Sequence, residues 1–169
     1  MPDRNVLMIA NSVYQLLTAV HIKRTILDGR KVDLIVSDIT PAMQGYVPRL
    51  AETGLFNRVI FAKIKDMNRE FAVGKEKELR EGFRNAEQRL RWGLSQALSD
   101  YSEVYFSNFD IFTRMLACRY YDNSCEFILY EDGFSTYVID YLREDRALVN
   151  RHPEGGKIRE KVKKALLYE

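Results

Sequence analysis

Apolar residues in this chain switch repeatedly between short unbroken runs and steps of three and four. Residues 5–10, Asn-Val-Leu-Met-Ile-Ala, form such a run, and from Ser12 onward Val13, Leu16, Leu17, Val20 and Leu27 fall at helical spacing. That pattern predicts a strand followed by a helix. The runs KVDLIVS (31–37) and RVIFAK (58–63) repeat the strand signal, and a helix is predicted around Met43–Glu52, stopping before Gly54. Leu79, Phe83, Ala86, Leu90, Leu94 and Ala97 then keep helical steps through a charged segment, which predicts one long amphipathic helix. Its outer face mixes supportive and repulsive pairs four apart, such as Glu76–Arg80, Arg80–Arg84 and Glu87–Arg91, so burial has to supply most of its stability. EVYFSN (103–108) and CEFILY (125–130) read as the fourth and fifth strands, with a helix over Ile111–Tyr121 between them.

Strand and helix alternate throughout with no hairpin turn, and the strands are almost continuously apolar. The fold class that follows is α/β: a Rossmann-like, doubly wound parallel sheet of about five strands, ordered near 3-2-1-4-5, because crossovers are right-handed and both faces need cover. Ligands of such sheets bind at the carboxyl ends of the strands. The expected organisation is one domain over 1–149, then a polar linker beginning at NRHPEGG (150–156) and a basic helix running to 169. That helix pattern ends at ALLYE with neither glycine cap nor polar exit, so the expectation is a piece of a longer protein.

Composition narrows the function classes. With 169 residues, 46% of them hydrophobic, the chain suffices for one domain with a real core. Lys and Arg number 26 against 24 Asp and Glu, and a net charge of +2 gives no electrostatic reason to expect nucleic acid as a partner. Residues 151–164 do concentrate six basic residues against two acidic ones. They read either as a peripheral contact with an anionic inner-membrane surface or as a solvated helix face. No apolar run approaches the roughly 18 residues of a membrane span. The only cysteines, Cys118 and Cys125, suggest a reduced, cytoplasmic setting with both thiols in or near the core. With His21 and His152 as the only histidines, they match no metal-ligand spacing, so no metal is expected.

The chemistry should stand where strands end. After the first strand, Ser12 and Gln15 have capping-box spacing, in which serine accepts from the third helical N–H and glutamine reaches back to the cap. The same helix start, with Asn11 and Tyr14, could instead face a ligand. No G-x-G-x-x-G stands in this turn, which disfavours a dinucleotide. After the second strand, Asp38, Pro41 and Gly45 suggest a phospho-receiver. Such a domain also needs acids after strand one and a lysine after strand five, where Asn11-Ser12 and Glu131-Asp132 stand instead. Asp38 then reads as a loop or helix-capping acid. After the fifth strand come Glu131, Asp132 and Gly133. Gly133 permits a sharp turn, and Ser135 or Thr136 can cap a following helix. The two acids are either a solvated turn or a pair whose mutual repulsion and partial burial raise a pKa enough for general-base work.

Together, Ser12-Val13-Tyr14-Gln15 after strand one and Glu131-Asp132-Gly133 after strand five resemble motifs of the bacterial sialyltransferases of capsule and lipooligosaccharide synthesis, including the polysialyltransferases. Those enzymes carry Ser/Thr-Pro-x-Gln and Asp/Glu-Asp/Glu-Gly; here Val13 replaces the proline, at the first helical position where proline is favoured but not required. The resemblance implies the amino-terminal half of a GT-B glycosyltransferase. In it, Asp132, with Glu131 as its orienting neighbour or in the reverse roles, deprotonates a glycan acceptor, and Asn11, Ser12, Tyr14, Gln15, Gly133 and Ser135 line the substrate site. It implies a CMP-sialic acid donor bound mainly by a second domain absent from this sequence, and no metal. This half alone would not turn over. His152-Pro153 looks like the family's His-Pro motif, but it sits between a polar linker and a basic helix without the preceding strand, which reads as loop chemistry. A non-catalytic, receiver-like binding or regulatory domain is the alternative.

Overall fold

The computed structural model describes residues 5–66, 85–108, 110–120 and 124–130. Five strands, β1 (Val6–Ala10), β2 (Val32–Ser37), β3 (Arg58–Ala62), β4 (Glu103–Phe106) and β5 (Glu126–Leu129), form one sheet ordered β3-β2-β1-β4-β5, and every pairing is parallel. This is the α/β, doubly wound arrangement that the alternation of runs and steps implies. Around the sheet lie α1 (Val13–Thr25), a 3₁₀ turn (Pro41–Gly45), α2 (Tyr46–Glu52), α3 (Ala86–Gly93) and α4 (Ile111–Tyr120).

Strand periodicity divides the core in two. Leu7 and Ile9 of β1, with Ile35 and Ile60, pack in one cluster with Ala86 and Leu90 of α3 and Phe112, Met115 and Leu116 of α4. Val6, Met8 and Ala10 turn to the other face with Leu16, Ala19 and Ile22 of α1 and Met43 of the 3₁₀ turn. β1 is therefore covered on both faces, and none of its residues is more than 2% exposed. At roughly 1.5–3 kcal/mol per large side chain removed from water, this strand anchors the fold. Gly54 closes α2 with φ of +62°, a left-handed conformation in which its missing Cβ avoids strain.

Three sequence expectations need correcting. The helical apolar steps continue through Leu94 and Ala97, but α3 ends at Gly93 and Leu94 is extended, bridging antiparallel to Ala62. Residues 93–97 instead run along the edge of β3: Lys63 N–H donates to Gly93 O (2.7 Å), Ser95 N–H to Phe61 O (2.9 Å), and the Arg58 guanidinium to Ala97 O (3.0 Å). An edge strand presents unpaired backbone groups, and this segment satisfies some of them while Leu94 and Leu98 still pack on the core. Leu79 and Phe83 lie outside the described residues. In α1 the buried stripe is Leu16, Ala19 and Ile22, whereas Val13 and Leu17 are exposed. Cys118 sits on the outward face of α4 and is exposed, while Cys125 is half-buried and desolvation pushes its thiol up to about 11.

No helix among the described residues is long and apolar enough to cross a membrane.

Candidate functional site

Strand pairing itself opens the crevice. β1 stays with β2 as far as Ala10↔Val36, but its pairing with β4 ends at Met8↔Tyr105. The strand order reverses between β1 and β4, and there the two strands part at their carboxyl ends, the switch point where doubly wound sheets hold ligands. Tyr130, the first residue after β5, donates its N–H to Phe106 O at 2.8 Å and its hydroxyl to the carbonyl of Ile9 in β1. The phenol is buried, and it ties the exit of β5 to β1 across the intervening strand.

One lip of the crevice is the β1–α1 turn. Ser12 is the N-cap of α1, and its Oγ accepts the Gln15 N–H at 3.2 Å. The return bond is displaced by one residue from the usual capping box: Gln15 Oε1 accepts from the N–H of Asn11 (2.7 Å). Thr40, beyond β2, donates its hydroxyl to Asn11 O at 2.9 Å, so the Asn11 backbone is held from two sides. Burial of Gln15 at 2% exposure makes its side chain part of the framework, and the capping reading accounts for both Ser12 and Gln15.

Asn11 is 3% exposed, and its amide Nδ2 points to Asp110 Oδ2 at 3.5 Å. Its Oδ1 is buried and accepts no hydrogen bond. A buried acceptor left unpaired costs about 1–3 kcal/mol, so this oxygen is disposed to receive a donor such as a hydroxyl. Asp110 forms the opposite lip: it precedes α4, and its Oδ1 accepts the Thr113 N–H at 2.9 Å, while Thr113 Oγ1 donates to Asn108 O at 2.9 Å. Two helices thus begin at the crevice, each bringing the positive end of its dipole, with a carboxylate and an amide between them. Sequence reasoning passed over Asp110. The available signal was an aspartate directly ahead of a helical run after a strand, the same grammar as Ser12.

Tyr14, in the first turn of α1, is 58% exposed and presents an aromatic surface outward beside Val13 and Leu17. Glu131, Asp132, Gly133, Ser135 and His152 lie outside the described residues, as does the basic segment 151–164. Asp38 is engaged with backbone: its Oδ1 accepts the N–H groups of Ile64 (2.8 Å) and Lys65 (2.9 Å), a loop-capping role at the end of β3. Among the described residues no three His, Cys, Asp or Glu side chains gather as a metal site.

The densest polar cluster lies at the amino ends of the strands, away from the crevice. Asp33 of β2, 4% exposed, accepts at Oδ2 from Arg58 Nη2 (2.6 Å), Arg58 Nε (3.0 Å) and Tyr101 Oη (2.7 Å), and at Oδ1 from Asn57 Nδ2 (2.8 Å). Burial alone would raise the Asp33 pKa, but the hydrogen bonds from Arg58, Tyr101 and Asn57 together hold it below the ordinary carboxylate value. Desolvation, with Asp33 adjacent, pushes the Tyr101 phenol far up, so it stays a donor. Every group here is satisfied by protein, which marks a structural clasp rather than a binding site.

No family model, curated protein or solved structure matches this chain.

Proposed function

We propose that the chain is the acceptor-side domain of an inverting, sialyltransferase-like glycosyltransferase of bacterial surface polysaccharide synthesis. The observation that carries this reading is the Tyr130–Ile9 hydrogen bond. Tyr130 directly precedes Glu131-Asp132-Gly133, and Ile9 stands just ahead of Asn11-Ser12, so the two strand ends that lead into the two motifs are tied together at the switch point. The exposed ring of Tyr14 and the unpaired Asn11 Oδ1 add a stacking surface and a hydroxyl receptor, which suit a glycan acceptor.

In this mechanism Asp132, with Glu131 as coupled neighbour or in the reverse roles, takes the proton of the acceptor hydroxyl. The acceptor oxygen then forms its bond to the anomeric carbon of CMP-sialic acid as the bond from that carbon to the phosphate oxygen breaks, and CMP leaves with the electron pair. The donor is held mainly by a second Rossmann-like domain outside this sequence, and the chain acts as one half of the enzyme. Its place of action is the cytoplasm.

The test is a panel of sugar nucleotides and glycan acceptors presented to the full-length protein. CMP release from CMP-sialic acid that depends on acceptor is expected. Asp132→Asn lowers it on the order of 10²–10⁴-fold with an unchanged melting temperature. Undiminished transfer by that variant would remove the base assignment, and failure to consume any sugar nucleotide would remove the glycosyltransferase reading.

A further inference from the structure

Trp92 is the chain's only tryptophan, and at the end of α3 it is 76% exposed. A single exposed apolar side chain is ordinary by itself, but an indole combines a large apolar body with a polar N–H and suits boundaries that are apolar on one side and wet on the other, so the groups around it decide its role. Gly93, the next residue, accepts the Lys63 N–H at 2.7 Å, which brings the carboxyl end of β3 alongside the Trp92 turn. Lys63 and Lys65 are exposed there, as is Arg91. Across residues 63–66 and 86–93 the sequence carries Lys63, Lys65, Arg89 and Arg91 against Asp66 and Glu87. Ile39, partly exposed near the end of β3, follows Asp38, whose N–H donates to Ala62 O and whose carboxylate accepts from Ile64 and Lys65.

A protein interface of useful affinity buries a cluster of apolar side chains behind a polar rim. Here a single indole stands among cations, which matches the way proteins meet an anionic bilayer: tryptophan at headgroup depth and lysines against lipid phosphates. We infer that the Trp92 turn and the Lys63–Lys65 segment form a surface that docks onto an anionic lipid bilayer. The surface lies at the carboxyl end of the edge strand, so docking turns the same end of the sheet that bears the β1–β4 crevice towards the membrane. This inference is independent of the glycosyltransferase reading and concerns a different segment from the basic residues 151–164.

Trp92 supplies its own reporter. The chain is titrated with vesicles of phosphatidylcholine alone and of phosphatidylcholine with phosphatidylglycerol, with tryptophan emission and co-sedimentation read together. Mixed vesicles are expected to shift the emission to the blue, brominated lipid to quench it, and pure phosphatidylcholine to do neither. Lys63→Ser with Lys65→Ser weakens binding by about 25-fold, at about fivefold per cation, and added salt weakens it further. Trp92→Ser, at an exposed position that leaves the thermal unfolding of the chain unchanged, abolishes sedimentation. Sedimentation with unaltered emission would overturn the inference, since another segment would then carry the contact. So would equal response to both vesicle types, or a blue shift that depends on protein concentration without lipid, which would assign the indole to a second copy of the chain.

Discussion

Replacing Asp33 by asparagine keeps the shape of the side chain and removes its charge from a position surrounded by four donors, two from Arg58 and one each from Asn57 and Tyr101. An asparagine there presents an N–H₂ to at least one of those donors, so a hydrogen bond becomes a donor–donor contact. Breaking a buried ion pair by removing one partner costs about 3–5 kcal/mol. Because the Arg58 side chain is 29% exposed, water takes part of the lost partner's place, and the expected cost lies at the low end, about 3 kcal/mol. At a urea m-value of about 2 kcal/mol/M the unfolding midpoint falls by about 1.5 M. Far-UV circular dichroism in urea reads this directly, and the slope should not change. Arg58→Met alone and the double variant complete a cycle whose coupling is expected at about 2 kcal/mol. A midpoint shift under about 0.3 M, or additive single effects, would refute the clasp.

The same residue sets a pH signature. Its folded pKa is depressed below the unfolded value of about 3.9, so its contribution is fully present above that value and disappears as the pH falls through the folded pKa. The stability gap between the parent chain and Asp33→Asn is therefore expected to be constant near neutrality and to narrow below about pH 4. A gap that stays constant into acid would mean that the carboxylate charge is not what the cluster recognises.

Two further outcomes bear on the crevice. Ser12→Ala removes the 3.2 Å bond to Gln15 N–H but leaves the bond from Asn11 N–H to Gln15 Oε1, so thermal unfolding should report a loss of about 1 kcal/mol rather than collapse of α1. Tyr130→Phe strips the hydroxyl from the Ile9 carbonyl and is expected to cost about 1 kcal/mol; under the glycosyltransferase proposal, the variant of the full-length protein should show a lower kcat with the donor KM held, because the change loosens the strand end that leads into the acidic pair.

Those outcomes depend on contacts of different legibility in the chain. β1 was readable because five consecutive buried residues leave an unbroken apolar run, and the order of the sheet followed from alternation and crossover handedness. Ser12 and Gln15 were readable because a cap is a contact over three residues. Asp33 was not: it is one acid inside KVDLIVS, and its partners Arg58 and Tyr101 lie 25 and 68 positions away, so only the parallel register that sets Arg58 opposite Asp33 gives the acid a partner. Apolar periodicity over-reached at Leu94 for a related reason. Burial requires only that the side chain reach the core, and an extended segment on the edge of β3 does that while also satisfying backbone groups that a longer helix would leave bare. The crevice belongs with Asp33. An all-parallel pattern says that β1 and β5 end on the same side of the sheet, but β4 separates them, and the link between their ends rests on β1 and β4 ceasing to pair after Met8 and on the Tyr130 phenol reaching Ile9. Motif spacing can nominate the two strand ends; a non-local hydrogen bond, from Tyr130 to Ile9, ties those ends together.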